Sequence, residues 1–332
     1  MKPVIVTHAS DIKENGEIVY CPDAMASIWA ILHNQEWDVK DVEIVWQKFL
    51  HVDAYQKFSI PFEYEERQVI FVDFSYPLHV MEQIARKSNL TVLDHHESRE
   101  NIFPALKLHY PHNVTAVYSP KEEDCGATLA WKFYSNGKAL PWFLKHVWYR
   151  DCGVNGYYEG EIPESEAFNN WLSRQREGKS IEDQMKIYDY LLDAITEGDF
   201  TYKALIKEGM PLLIERDEIC QREANIWEKF PVTLNIDFSE KVDVNGEEVI
   251  RNHNYNVPFI QIKNQEADKY CSIIGRYLKH YSEYPFVCIS TTTGLKSISL
   301  RKHKNSNVNL ADIAKYHGGG GHSSAAGFEI KI

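Results

Sequence analysis

Short apolar runs alternate with helix-like stretches in the first half of this 332-residue chain, and this alternation limits the fold more than any other feature. Four runs have the length and the β-branched content of buried strands: 4–6, 42–46, 69–72 and 90–93. Helix-like stretches lie at 23–32 and 77–87. Because strands separated by helices favour right-handed crossovers, the sequence predicts an α/β fold with a parallel sheet and helices on both faces.

The pattern changes in the second half. A helical stretch is followed, from residue 231 onward, by strand-like runs at 259–262, 286–289 and 297–300. Asn245-Gly246 is the dipeptide of a tight β-hairpin. We therefore predict an α/β domain over residues 1–195, a helical connector over 196–230 and a smaller mixed α/β domain over 231–332.

Potential metal ligands follow three of the predicted strands. His8 follows the first strand, Asp73 the third, and Asp94-His95-His96 the fourth. In a parallel sheet these strand ends meet at one edge, which is where ligands bind in such folds. We therefore expect all of these side chains to lie close together.

The chemistry of these side chains predicts a divalent metal. Asp23 and Asp151 would add two carboxylates to the same edge, and crowded carboxylates repel each other unless cations lie between them. Oxygen ligands mixed with imidazole suit Mn²⁺ or a similar ion such as Mg²⁺. We predict two Mn²⁺ ions, which would polarise a phosphoryl group and activate a water.

Four consecutive glycines, Gly318 to Gly321, precede His322 near the end of the chain. Glycine lets the backbone approach an anion closely and point its N–H groups at phosphate oxygens, although a flexible loop is an alternative. Arg301 follows the run 297–300, where its guanidinium could clamp a phosphate. The predicted substrate-binding residues are Arg301, Gly319, Gly320, Gly321 and His322.

Charge and composition narrow the partners. The formal net charge of -12 favours a small phosphate substrate over a long nucleic acid, which draws affinity from a basic surface. No apolar run reaches the roughly 18 residues of a membrane span. The six cysteines are dispersed, with no Cys-x-x-Cys pair, and this predicts a reducing, cytoplasmic compartment.

The motifs together resemble the DHH phosphoesterase superfamily with its C-terminal DHH-associated domain, over nearly the whole chain. Six segments carry the resemblance: 72–75 (Val-Asp-Phe-Ser), 94–96 (Asp-His-His), 125–128 (Cys-Gly-Ala-Thr), 149–151 (Tyr-Arg-Asp), 297–301 (Ser-Ile-Ser-Leu-Arg) and 318–322 (Gly-Gly-Gly-Gly-His). Each segment is only moderately specific, whereas their order and spacing together are distinctive.

The resemblance implies roles for individual residues. One metal would be held by four ligands: Asp23, Asp73, His95 and Asp151. His96 would donate to the scissile phosphate or act as the general acid for the leaving oxygen. Asp94 would orient the two histidines. His96 and Asp94 are therefore the predicted catalytic pair.

The other metal position is where the sequence departs from the superfamily. An apparent insertion over residues 9–22 separates His8, a predicted ligand, from Asp23, and Cys21 occupies the place of an expected aspartate. Three interpretations stay open. Asp11 replaces the carboxylate, Cys21 binds as a thiolate, or the position is weak and fills only with substrate.

The resemblance implies hydrolysis of phosphodiester or phosphomonoester bonds in small nucleotides, such as short oligonucleotides and linear or cyclic dinucleotides. Tyr316 and His317 are candidates for stacking on a base. The alternatives are an inorganic pyro- or polyphosphatase and a nucleotide-binding protein with weakened catalysis. A homodimer is compatible with either activity.

Overall fold

The structure, a computed structural model, divides into two compact units. It describes residues 1–12, 16–49, 52–120, 123–154, 157, 160–229, 231–244, 247–262, 267, 270–278, 283–290, 297–303 and 305–329. The first unit comprises Met1–Phe49 and Ala54–Leu213, and the bulk of the second is Ile214–Ile332. The boundary between the units lies inside a 30-residue helix.

The first unit is built on a six-stranded sheet. Its strands are β1 (Val4–Ile12), β2 (Ile18–Tyr20), β3 (Glu43–Gln47), β4 (Gln68–Val72), β5 (Asn89–Asp94) and β6 (Val114–Tyr118). Strands β3, β1, β4, β5 and β6 are parallel and adjacent in that order, and β2 pairs antiparallel with β1. The chain moves from β1 to one side of the sheet and then returns to the other side, so a topological switch point lies between β1 and β4. The four strands predicted from the sequence are confirmed as β1, β3, β4 and β5.

The helices of this unit cover the sheet. They are α1 (Pro22–Gln35), α2 (Leu78–Ala85), α3 (Ile102–His109), α4 (Gly126–Tyr134), α5 (Trp142–Cys152), α6 (Pro163–Arg176), α7 (Ile181–Ala194) and α8 (Phe200–Lys229), the last shared with the second unit. Alternate strand residues such as Ile5, Ile70 and Val72 form one apolar core with α1, α4 and α5. Helices α2 and α3 pack against β5 and β6 from outside that core, which indicates that both faces are covered.

The insertion predicted over residues 9–22 forms a β-hairpin. Strand β1 continues past His8 to Ile12, and β2 returns antiparallel, with Ala9 opposite Tyr20. Cys21 follows immediately and precedes α1, whose first residue is Pro22. Proline suits this first helical position because its missing N–H would have no partner there. The hairpin therefore returns the chain to the end of β1 before α1 begins.

The second unit contains a six-stranded mixed sheet. Its strands are β7 (Thr233–Val244), β8 (Glu247–Gln261), β9 (Phe286–Ser290), β10 (Ser297–Lys302), β11 (Gly320–Gly321) and β12 (Ala325–Glu329), in the spatial order β11-β12-β10-β9-β8-β7. The predicted hairpin is confirmed, because Val244 lies opposite Glu247 in β7 and β8, while Asn245 and Gly246 lie outside the described residues.

The described residues of the second unit include the short helices α9 (Cys271–Ile274) and α10 (Leu310–Tyr316). Leu310 and Ile313 of α10 pack into the same apolar core as Leu300 of β10 and Phe328 of β12. The second unit is therefore mixed α/β, as the sequence predicts. Within the described parts of the chain, no helix combines the length and the apolar character that a bilayer crossing requires.

Candidate metal centre

Asp73 lies at the centre of the site, one residue beyond β4 at the switch point. Its backbone is left-handed, with φ of 55°, and its N–H donates to the Leu93 carbonyl at 3.0 Å. Its carboxylate is buried between two histidines: Oδ2 lies 3.0 Å from His8 Nε2, and Oδ1 lies 3.0 Å from His95 Nε2. The Asp73 carboxylate thus joins His8, within β1, to the segment that follows β5.

His95 brings two further carboxylates into the same cluster. Its Nε2 lies 3.7 Å from Asp23 Oδ2, on the first turn of α1, and 3.4 Å from Asp151 Oδ2, near the end of α5. His95 is fully buried and Asp23 nearly so. The structure therefore gathers around one imidazole nitrogen the four residues predicted to bind one metal.

The first turn of α4 holds Asp23. The N–H of Gly126 donates to Asp23 Oδ2 at 2.6 Å, and the N–H of Ala127 donates to Oδ1 at 2.9 Å. The N-terminus of a helix stabilises an anion because its N–H groups have no partners within the helix. Gly126 also permits a close approach, since a Cβ there would lie 2.5 Å from Asp73 Cβ. The α4 terminus therefore fixes the position of Asp23 and packs against Asp73.

Asp94 organises the two histidines that follow it. Its Oδ1 accepts from the backbone N–H groups of His95 at 2.8 Å and His96 at 3.2 Å. It also lies 2.7 Å from His96 Nδ1, and Ser75 Oγ donates to Oδ2 at 2.6 Å. Burial raises the pKa of Asp94, but His96, His95 and Ser75 together outweigh burial, and the pKa lies below its ordinary value. An anionic Asp94 therefore accepts a hydrogen bond from the Nδ1–H of His96, which leaves Nε2 as the nitrogen available to the site.

Potential ligands also surround His8, the residue predicted to bind the other metal. Cys21 is buried, and its Sγ lies 3.9 Å from Asp73 Oδ2. Donor atoms of His8, Asp73 and His96 lie within 4.8 Å of one another. Cys21 is thus next to this position, whereas the side chain of Asp11, the other candidate, lies outside the described residues.

The close packing of carboxylates and histidines shifts their pKa values. Burial and repulsion from Asp73 and Asp151 raise the pKa of Asp23 well above its ordinary value. Burial also raises the pKa of Asp73, but His8 and His95 outweigh it and lower that pKa well below its usual range. Burial alone would lower the pKa of His8 and His95. Their anionic neighbours outweigh burial, so that both pKa values lie well above the ordinary value for histidine. In the metal-free protein these imidazoles hold protons where a cation would otherwise balance the carboxylates.

The donor set fits divalent metals. Two groups of potential ligands share Asp73: one contains His8 and His96, and the other contains Asp23 and His95. Within each group, one ligand atom per residue lies within 4.8 Å of the others. Carboxylate oxygens with imidazole nitrogens match the preferences of Mn²⁺ and similar ions. A carboxylate shared by two ligand groups is suited to two ions side by side.

Three residues at this site were not assigned a role from the sequence. Cys152 Sγ lies 3.6 Å from His95 Nδ1 and 3.6 Å from Asp151 Oδ2. The centroid of the Phe49 ring lies 5.2 Å from that of His8 and 5.1 Å from that of His96. Ser75 bonds Asp94, as described above. Ser75 and Cys152 adjoin recognisable motifs in sequence, whereas nothing in the local pattern marks Phe49.

The predicted substrate-binding residues lie in the second unit. Arg301 is in β10 opposite Ala325 of β12, and its Nη1 donates to the Leu300 carbonyl at 2.7 Å. His322 is buried, and its N–H donates to the Ala325 carbonyl at 2.8 Å. Arg301 and the turn containing His322 thus approach the same end of β12.

Packing explains part of the glycine run. Gly320 and Gly321 form β11, which pairs with β12. A Cβ on Gly319 would lie 2.0 Å from the Gly327 carbonyl oxygen, and Gly321 has φ of 134°. The chain therefore requires glycine at positions 319 and 321 for close approach to β12. Whether the run also binds phosphate stays a prediction.

Comparisons with known proteins find only distant similarity. No protein-family model matches the chain. An uncharacterized protein of Acanthamoeba polyphaga mimivirus is 23% identical over 317 residues, which make up 93% of this chain and 65% of that protein. The chain thus spans about two thirds of the length of that relative.

Two solved structures resemble the whole chain weakly. The pGpG-specific phosphodiesterase PggH from Vibrio cholerae has a TM-score of 0.43 and 14% identity, over 100% of this chain and 94% of that one. CDC45 from Entamoeba histolytica has a TM-score of 0.39 and 8% identity, over 90% and 84% of the respective chains. Because both TM-scores are low, we base no functional conclusion on these similarities.

Proposed function

We propose that this protein is a metal-dependent phosphoesterase that hydrolyses phosphodiester or phosphomonoester bonds of small nucleotides. The observation that carries the proposal is the Asp73 carboxylate, whose two oxygens each lie 3.0 Å from a different histidine, His8 or His95. Each histidine belongs to a separate group of potential ligands. This arrangement supports a pair of metal ions with a shared carboxylate.

The residues proposed to hold the ions are members of the two groups together with Asp151, whose Oδ2 lies 3.4 Å from His95 Nε2. Asp23, Asp73, His95 and Asp151 would hold one ion. His8 and Asp73 would hold the other, with Cys21 beside it and His96 within reach. When bound, such ions, most suitably Mn²⁺, polarise a phosphoryl oxygen and lower the pKa of a bound water.

The protein itself supplies proton control and orientation. Asp94 holds His96 through Nδ1, so His96 Nε2 can bind a phosphoryl oxygen or give a proton to the leaving oxygen. The backbone bonds from residues 95 and 96 to the same Asp94 oxygen fix the direction of this imidazole. Phe49 packs against its ring and limits rotation. We assign His96 and Asp94 as the catalytic pair on these contacts.

A nucleotide substrate agrees with the charge and with the second unit. The net charge of -12 disfavours a long polyanion. We propose that Arg301, His322 and the glycines 319–321 bind a phosphate group of a short substrate. Tyr316 is 51% exposed, whereas the His317 ring stacks on Phe328 with centroids 4.5 Å apart and its Nε2 contacts the Asp237 carbonyl. Tyr316 is therefore the better of the two residues for stacking on a base.

The test is a hydrolysis panel with Mn²⁺: linear and cyclic dinucleotides, longer RNA and DNA, a nucleoside bisphosphate and polyphosphate. We expect turnover of the small nucleotides and its loss in Asp73→Asn and His95→Ala, with metal content reduced in both variants. His109→Ala is a matched control, since His109 pairs with Glu82 on the exposed surface of α3. Wild-type turnover in Asp73→Asn would refute the assignment. Hydrolysis of polyphosphate alone would replace a nucleotide substrate with an inorganic one.

One observation favours a second candidate, a nucleotide-binding protein with weak catalysis. Cys21 rather than a carboxylate stands beside the His8 position, and a thiol is a poor partner for Mn²⁺ or Mg²⁺. Metal analysis separates the two candidates. Two ions per chain with turnover support the phosphoesterase, and one ion or none with intact nucleotide binding supports the alternative.

A further inference from the structure

Arg99 is a cation at the edge of the metal centre that the proposed chemistry does not use. It ends the short helical turn Glu97–Arg99, which begins directly after His96, and its backbone N–H donates to the His96 carbonyl at 2.9 Å. The side chain is mostly withdrawn from solvent. Its Nε is buried, and no group in the described part of the chain accepts a hydrogen bond from it.

Other buried arginines of the first unit are satisfied. Arg67 donates to two backbone carbonyls, those of Lys2 and Glu63, and pairs with the Glu43 carboxylate at 2.7 Å. Arg176 donates to Gln184 at 2.8 Å. Folded proteins rarely bury a guanidinium donor without an acceptor, since the lost hydration is then uncompensated. Arg99 therefore differs from Arg67 and Arg176 of the same unit, which do have such acceptors.

The acidic groups near Arg99 do not fully compensate for the burial of its charge. Burial lowers its pKa, and attraction to Tyr55 and Asp94 only partly offsets that effect. Asp94 is already engaged by His95, His96 and Ser75, so its charge is shared among other donors. A planar guanidinium with several fixed donors is suited to phosphate oxygens.

The charges of the metal centre also call for a further cation. The four carboxylates of Asp23, Asp73, Asp94 and Asp151 would be balanced by two divalent ions, so a bound phosphate would bring uncompensated negative charge. Arg99 lies one short turn beyond His96 and is the arginine that the fold places beside Asp94 on the metal-binding unit.

We propose that Arg99 binds a phosphate group of the substrate. This inference rests on the proposed function, and it assigns a phosphate-recognition residue to the first unit itself. The phosphate is either the one that is cleaved or a terminal one, and both present the same oxygens to the guanidinium.

The test compares Arg99→Gln, Arg99→Lys and Arg86→Gln on two dinucleotides, ApA and its 5′-phosphorylated form pApA. Arg86 is the matched control, because it donates to Tyr110 on the exposed surface of the same unit. We expect KM to rise about 10- to 100-fold in Arg99→Gln, the loss of a charged hydrogen bond, with a smaller rise in Arg99→Lys. The inhibition constant of inorganic phosphate should rise in parallel. Metal content and the melting temperature should stay close to wild type.

The pattern of KM identifies the phosphate. An equal rise for ApA and pApA places Arg99 on the scissile phosphate, and a rise for pApA alone places it on the terminal one. Unchanged KM and unchanged phosphate inhibition in a folded Arg99→Gln protein would overturn the proposal, as would the same KM change in Arg86→Gln.

Failure of the proposed function gives a different result. If the wild-type protein with Mn²⁺ hydrolyses neither dinucleotide, the phosphoesterase assignment fails. Calorimetric binding of inorganic phosphate then still tests Arg99. Weaker binding in Arg99→Gln than in wild type would sustain the phosphate site, and equal binding would refute it.

Discussion

Gly126→Ala tests whether the start of α4 positions the metal ligands. The added Cβ would lie 2.5 Å from Asp73 Cβ and 2.9 Å from Asp23 Oδ2, and the first of these atoms is attached directly to the backbone. Ordinary carbon–carbon contacts begin near 3.4 Å, so the start of α4 must move away by about 1 Å. That movement lengthens the 2.6 Å hydrogen bond from the Gly126 N–H to Asp23.

The size of the effect follows from two contributions. Overpacking a buried contact costs about 1–3 kcal/mol, which in a domain of this size lowers the melting temperature by about 3–10 °C. Weakening a hydrogen bond that orients a metal ligand costs about 10- to 100-fold in metal affinity. We therefore expect both a moderate loss of stability and a distinct loss of Mn²⁺ binding.

The assay is calorimetric Mn²⁺ titration together with thermal unfolding of the metal-free protein. Gly178→Ala is the control: Gly178 has φ of 68° and nothing within 4 Å of an added Cβ. Alanine in that left-handed conformation costs about 1–2 kcal/mol without touching the site. It should therefore lower stability and leave Mn²⁺ affinity intact. If Gly126→Ala is destabilised yet binds Mn²⁺ as tightly as wild type, the α4 terminus does not control Asp23.

Three further predictions concern other parts of the first unit. Asp94→Asn should lower kcat about 10- to 100-fold, because Asp94 orients His96 through Nδ1. Metal content measured by elemental analysis should stay constant, because Asp94 is not itself a member of either ligand group; loss of metal would contradict this. Burial lowers the pKa of His146 to about 4. Below pH 6.5 the unfolded chain therefore binds a proton that the folded protein does not bind. The free energy of unfolding should fall by up to about 3 kcal/mol as the pH drops from 6.5 to 4. Denaturant titrations at pH 7 and 4.5 should show this loss reduced in His146→Gln, which can still bond Ser165. The pKa of His8 is raised in the metal-free protein, so its contribution to stability is complete below pH 6.5 and is lost as the pH rises through the folded pKa. Mn²⁺ must displace that proton, and calorimetric affinity should therefore increase with pH across neutrality; a pH-independent affinity would count against His8 as a ligand.

The strand ends could be predicted because their signals are local. The runs before His8, Asp73 and Asp94 have strand length, and parallel strands place their ends together whatever the rest of the chain does. The residue type at position 73 also satisfies two conditions at once. Aspartate supplies two oxygens and is one of the few residues that tolerates the left-handed backbone seen there.

Contacts between distant residues could not be predicted in the same way. The bonds from Gly126 and Ala127 to Asp23 join residues more than 100 positions apart, and no local pattern encodes them. The glycine run shows a different limit. Glycine is equally suitable for close approach to an anion and to a neighbouring strand, and at Gly319 the structure shows the second. The sequence alone indicates that a small residue is required there, but it does not show which close contact requires it.

Because a hairpin lies between His8 and Asp23, the number of residues that separates these two predicted ligands can vary without moving them. Ala9 and Tyr20 pair at its base, so residues between them can be added or removed while His8 and Cys21 keep their places. Doubling the length of such a loop costs only about 0.6 kcal/mol in closure entropy. A search pattern that requires a fixed interval between the histidine and Asp23 would pass over this chain and over any relative with a hairpin of another length. A pattern anchored on strand ends and the start of α1 would find them all.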